Sequence, residues 1–197
     1  FIGLNFNYDK RNQKFQTTRG FFSNYGVDLP VISDTSTINN TYAFKGFKEL
    51  YDNNVSTFAV LLQASNSLSG DDIKLSERLY VPSRRLRGFE PGKIGPKDGA
   101  DFIGGNYLAS INLQSSLPVL FQNSQDLDAI IFFDAANVWG VDYDSSIDDG
   151  SKIRSSIGIG IDWLTPVGPL NFSLTEVITK QNTDIEESFR FNLGTTF

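Results

Sequence analysis

The sequence predicts an all-β fold, an antiparallel transmembrane β-barrel represented here by about nine strands. Three observations carry that expectation. Apolar side chains alternate with small or polar ones, at a period of two, in seven of the nine expected strands. All seven prolines fall between those stretches, at Pro30, Pro82, Pro91, Pro96, Pro118, Pro166 and Pro169, where a residue lacking an N–H does not interrupt a sheet ladder. The connections are short on one side, around Tyr51 to Asn54 and Pro166 to Gly168, and long on the other, at 139–152 and 68–103. That asymmetry is characteristic of outer-membrane barrels.

The strands are expected at about 1–8, 19–29, 37–49, 55–67, 104–117, 127–138, 153–164, 168–178 and 187–197. The first presents Ile2, Leu4, Phe6 and Tyr8 on one face, and the second Phe21, Tyr25, Val27 and Leu29. The third is the least regular. Phe58, Val60, Leu62 and Ala64 mark the fourth, and Tyr107, Ala109, Ile111 and Leu113 the fifth. In the sixth, Ile130 to Phe133 is apolar on both faces. The seventh is the cleanest: Ile153, Ser155, Ile157, Ile159, Ile161 and Trp163 alternate with Arg154, Ser156, Gly158, Gly160 and Asp162, and its β-branched residues favour a strand. Leu170, Phe172 and Leu174 mark the eighth. In the ninth, Phe189, Phe191, Leu193 and Phe197 oppose Ser188, Arg190, Asn192, Gly194 and Thr196. No stretch carries a convincing helical period.

Strands of about 10 residues cross a bilayer when tilted, whereas a crossing helix needs about 20 apolar residues. The longest apolar run here is about that of Ala129 to Phe133. A soluble sandwich also alternates, but its solvent face usually carries Lys, Glu and Asp. Here the second face carries Ser, Asn, Gly and Thr with scattered charge, as a barrel lumen can.

Composition excludes several functions. The 197 residues include no Cys, His or Met and carry a formal charge of −6. There is no thiolate or imidazole nucleophile, no disulfide and no zinc site of the usual kind. An acidic chain is a poor nucleic-acid surface. Catalysis would rest on carboxylates, hydroxyls or lysine, and no convincing carboxylate pair is present; no enzyme activity is expected. A chain starting at Phe1, without an initiator methionine or leader, is expected to be a processed chain or a fragment.

The long connection contains Arg84-Arg85-Leu86-Arg87-Gly88-Phe89-Glu90-Pro91-Gly92-Lys93-Ile94-Gly95-Pro96. A loop of this length with no secondary structure of its own is usually functional or disordered, and its glycines and prolines favour a defined fold-back. The segment resembles the Arg-Gly-Phe loop of the BamA/TamA superfamily of outer-membrane barrels. Four more segments agree, in family order. Tyr8-Asp9-Lys10-Arg11-Asn12 is similar to a periplasmic turn, and Phe133-Asp134-Ala135-Ala136-Asn137-Val138-Trp139 to a Phe-Asp-x-Gly-x-Val-Trp strand end. Trp163-Leu164-Thr165-Pro166-Val167-Gly168-Pro169-Leu170 is similar to the turn before the penultimate strand, and Phe189 to Phe197 to the closing strand. The likeness covers essentially the whole chain, and the assembly branch fits better than the secretion or chloroplast branches.

The resemblance implies a 16-stranded barrel preceded by periplasmic POTRA domains, of which residues 1–197 supply the C-terminal part, about the last nine strands. Such a piece has two unpaired edges and does not close by itself. The loop at about 68–103 would return into the lumen, with Arg87, Gly88 and Phe89 at its tip and Asp134 as the arginine's partner. By themselves these residues leave another reading open, a solvated Arg87 and an Asp134 that begins a turn. Two departures stand out. Gln114 occupies a position where many relatives carry glutamate, so the anchor should lean on Asp134. Ala136 replaces a family glycine.

The closing strand would form one side of a lateral gate, through Phe189, Phe191, Leu193 and the hinge Gly194, with Phe197 at the bilayer edge and as the terminal aromatic by which assembly machinery recognises barrels. Gly194 is equally readable as a small lumen-facing residue. The implied function is folding and inserting client outer-membrane proteins in the bacterial outer membrane, without a cofactor. The implied partners are nascent β-barrel proteins, outer-membrane lipid, accessory Bam lipoproteins and periplasmic chaperones. Alternatives are a sister translocation or two-partner secretion barrel, or a passive channel. Gly158 to Asp162 has a faint likeness to a nucleotide loop but opens no helix. Asp142 to Asp148 alternates like a calcium loop, yet Ile147 and Ile153 occupy the glycine and glutamate positions, and a solvated loop is expected there.

Overall fold

The computed structural model describes residues 2–14, 16–31, 36–121, 126–150, 152–166 and 168–193. Nine strands form one sheet: β1 (Ile2–Asp9), β2 (Gly20–Leu29), β3 (Thr37–Lys48), β4 (Ser56–Ser67), β5 (Tyr107–Ser116), β6 (Leu127–Trp139), β7 (Arg154–Thr165), β8 (Gly168–Thr179) and β9 (Phe189–Leu193). Each pairs antiparallel with its chain neighbour, in unbroken order from β1 to β9. Among the described residues no helix is long and apolar enough to cross a membrane.

The two faces of the sheet invert the rule for a soluble protein. One face is bare and apolar: Phe6 is 64% exposed, Ile159 57% and Leu193 63%. The other is covered from β4 to β9 and open along β1, and its buried side chains are largely polar, among them Ser65, Ser110, Asp134, Ser156 and Ser173. A large, contiguous exposed apolar surface is costly in water and favourable in lipid. The alternation legible in the sequence therefore has lipid as the reason for its apolar half.

The connection between β4 and β5 is what covers the other face. Val81, Leu86, Phe89 and Ile94 of this loop pack on Leu61 of β4, Leu108 of β5 and Ala136 and Val138 of β6, with Val177 of β8 alongside. Full burial of side chains of this size stabilises by about 1.5–3 kcal/mol each. The apolar core thus lies between the loop and the wall. Ala136, which stands where the family pattern has glycine, is one of its members and is 3% exposed.

Two expectations are corrected. The loop has secondary structure of its own: a 3-10 turn at Leu75–Glu77 and short strands at Gly88–Phe89, Lys97–Asp98 and Asp101–Phe102. The last two form a hairpin. The ninth strand begins at Phe189 because Glu186 and Glu187 turn aside to pair with Phe89 and Gly88. Gly194 and Phe197 lie outside the described residues.

Candidate functional site

Register sets the site. Asn112 on β5 faces Asp134 on β6, which faces Ser156 on β7; one pleat away, Gln114, Phe132 and Gly158 form a second row. Asn112, Phe132, Asp134 and Ser156 are all buried beneath the loop.

Arg87 spans both rows. Its main-chain N–H donates to Asp134 Oδ2 at 3.1 Å, its Nε to the same oxygen at 2.7 Å, and its Nη2 to Oδ1 at 2.9 Å. Asn112 adds a fourth bond to the carboxylate, from Nδ2 to Oδ1 at 2.8 Å. A carboxylate has about four lone-pair sites, so Asp134 is saturated. Arg87 Nη1 reaches Gln114 Oε1 at 3.3 Å. The neutral amide is therefore the longer contact and Asp134 the shorter, charged one. Ser156 Oγ donates to the Arg87 carbonyl at 2.6 Å, and Asn112 Nδ2 to the Arg85 carbonyl at 2.9 Å. Bidentate geometry with the remaining lone pairs satisfied is what a buried ion pair needs to offset its desolvation.

Below the guanidinium lies the Phe132 ring, its centroid 3.3 Å from Arg87 Cζ. Such a desolvated cation–π contact contributes about 2 kcal/mol. The ring fits because residue 158 is glycine: a Cβ there would lie 2.4 Å from Phe132 Cζ. Gly88 has a comparable role in the loop. Its φ is +92°, and a Cβ would come within 2.8 Å of Thr175 Cγ2, so the tip approaches β8 only without a side chain.

The terminal segment grips the same loop from the other side. Arg190 on β9 donates from Nη1 to the Ser83 carbonyl at 2.6 Å and from Nη2 to the Phe89 carbonyl. Glu187 holds that guanidinium through Nε at 2.7 Å. Phe189, Phe191 and Leu193 instead point from the bare face and are exposed. A further buried pair, Arg154 Nε to Asp184 Oδ2 at 2.9 Å, joins the start of β7 to the β8–β9 connection.

The acidic loop is not simply solvated. Asp142 accepts from Ile73 N–H at 2.9 Å and Asn106 Nδ2 at 3.0 Å, and pairs with Arg78. Burial pushes its carboxyl up, but those hydrogen bonds outweigh burial and hold the group below the usual carboxylate range. Among the described residues no cluster of acidic side chains could hold a metal ion.

The sequence did not point to Phe132, Asn112, Ser156, Gly158, Arg190 or Glu187 as site residues. Two signals were present: the doubly apolar run at 130–133, and a lone arginine on the small-residue face of the last strand. The site holds a loop against a wall; it brings together no nucleophile and base.

An exposed apolar belt and a polar covered face are features of membrane-spanning β-barrels, and the Omp85 superfamily domain matches residues 1–197. This chain belongs to the Omp85 superfamily. It is 24% identical over 96% of its length to the outer membrane protein assembly factor BamA of Neorickettsia risticii, and 25% identical over 96% to that of Neisseria meningitidis serogroup B. It spans 26% and 28% of those relatives, about a quarter of their length. The crystal structure of BamA from Haemophilus ducreyi lacking POTRA domains 1-3 superposes with a TM-score of 0.86 at 28% identity, covering 96% of this chain and 41% of that one. The Omp85 assignment makes the sheet part of a β-barrel of the bacterial outer membrane, and its bare apolar face is the one suited to lipid.

Proposed function

We propose that this Omp85 chain is the C-terminal part of a barrel that folds and inserts client β-barrel proteins into the outer membrane, with its terminal strand as one side of a lateral seam. The observation that carries this is the double attachment of the lumen loop. Arg87 fixes it to β6, while Glu186 and Glu187, just ahead of β9, pair with its tip. Main-chain groups that the terminal strand exposes to lipid when the seam opens are costly to leave unpaired and drive pairing with an incoming strand. The relatives named as assembly factors support the same reading.

On this account the protein acts without covalent chemistry or a cofactor. Its partners are unfolded barrel proteins delivered from the periplasm by chaperones, lipid, and the accessory lipoproteins of an assembly complex. The test is reconstitution of the full-length protein in liposomes. Client barrels fold faster than in empty liposomes, as read by their heat-dependent mobility on gels. Steady ion conductance with no acceleration of client folding would overturn the proposal in favour of a passive channel.

A further inference from the structure

Arg190 stands out on the terminal strand. Its guanidinium is 5% exposed and its main-chain Cα partner is Ser173 of β8. It leaves the plane of the sheet to bind two main-chain carbonyls that bracket the arginine turn, Ser83 before it and Phe89 after it. Glu187 accepts from both Nε and Nη2, at 2.7 and 2.5 Å, and so aims the planar donors at those carbonyls. The main chain reinforces the join: Glu90 N–H donates to the Ile185 carbonyl at 2.9 Å and Ile185 N–H to the Lys93 carbonyl at 3.1 Å.

From this geometry we propose that Arg190 is a positioning residue that couples the lumen loop to the terminal strand, so that β9 cannot leave β8 without breaking the loop's hold on it. The proposal rests on the reading above that β9 borders a seam, and it adds the element that sets how readily the strand detaches. The connection is continuous. Asp134 on β6 holds Arg87, the turn from Ser83 to Phe89 carries the constraint across the lumen, and Arg190 delivers it to β9.

Detachment leaves the Ser83 and Phe89 carbonyls without their donor and the guanidinium with Glu187 as its remaining partner, and hydrogen bonds to charged groups are the stronger kind. A planar fork reaches both carbonyls together, which a lysine ammonium does not do. The loop is therefore a latch on the strand as well as a plug in the lumen, and a movement of the loop lowers the barrier to strand release.

The test is hydrogen exchange of the full-length protein in liposomes. With Arg190→Gln, the amides of 189–193 exchange at least about tenfold faster than in the unsubstituted protein, while those of Ile157 to Ile161 do not change. Arg190→Lys recovers only part of the protection. Glu187→Gln, which leaves Arg190 in place but less well aimed, gives a smaller acceleration confined to the same residues and serves if Arg190→Gln fails to insert. Unchanged exchange at 189–193, or equal acceleration in β7, overturns the coupling. Loss of client folding by the unsubstituted protein, with the exchange difference intact, overturns the assembly reading and leaves the coupling standing.

Discussion

The Phe132 ring occupies the space that a side chain on Gly158 would fill, and the two face each other across β6 and β7. Arg87 then rests on that ring. A missing side chain on one strand thus creates the platform for a cation from a loop far away in sequence. Gly158→Val is expected to destabilise the protein by about 1–3 kcal/mol through overpacking and to loosen the loop, since even a Cβ would sit 2.3 Å from the Leu174 carbonyl. Phe132→Leu keeps an apolar group but loses the cation–π contribution of about 2 kcal/mol. Urea unfolding with loop-directed proteolysis measures both; a fully protected loop in Gly158→Val would refute the platform.

Removing one partner of the Arg87–Asp134 pair leaves a buried charge unpaired, and Arg87→Ala or Asp134→Ala is expected to cost about 3–5 kcal/mol. The exchanged pair Arg87→Asp with Asp134→Arg recovers part of this loss. It recovers only part because the Arg87 main-chain N–H, which also donates to Asp134, is not exchanged with the side chains. If the double variant is no more stable or active than either single one, direct pairing is not what holds the loop.

Gly88→Ala combines a left-handed φ of +92° with a Cβ placed 2.8 Å from Thr175 Cγ2. A cost of about 1–3 kcal/mol is expected. Proteolysis at the loop tip reports it, and Thr175→Ser, which removes the obstructing methyl, should relieve the steric share alone.

The base of the loop should be sensitive to acid. Hydrogen bonds hold the Asp142 carboxyl below its ordinary value despite burial. The sign follows from proton linkage: a carboxyl more acidic when folded contributes stability above its unfolded pKa of about 3.9, and that contribution disappears as pH falls through the lower folded value. Protease protection of the Ile73 and Arg78 region should therefore decline in acid below the ordinary carboxylate range. Asp142→Asn should flatten that decline, and an unaltered pH profile would show that another group controls it.

The lipid-facing assignment is tested at Ile159, which is 57% exposed on the bare face. Ile159→Lys near the bilayer centre is expected to cost about 2–4 kcal/mol in folding into liposomes. A substitution without effect there would place that face in water.

Strand existence and face were legible in the sequence because period-two alternation is a local property; in β7, Ile157, Ile159 and Ile161 could be assigned to one face with no knowledge of neighbours. The proline positions marked the connections for an equally local reason, the missing N–H. Arg87 and Asp134 were legible as a pair only through their resemblance to a known motif, since 47 positions separate them. The ninth strand was drawn two residues too long at its start, because alternation does not distinguish pairing with β8 from pairing with the loop.

By itself, then, the sequence determined an all-β chain of membrane-length strands with one apolar and one polar face, and an arginine loop among the connections. Tertiary structure alone decided the registers that stack Phe132 on Gly158 beneath Arg87, and the return of the loop that sets Arg190 against Ser83, 107 positions away. Alternation constrains which face a residue occupies but not which residues meet across strands and loops. Those meetings follow from the hydrogen-bonded register of the whole sheet and from the core that Leu86, Phe89 and Ile94 form against it.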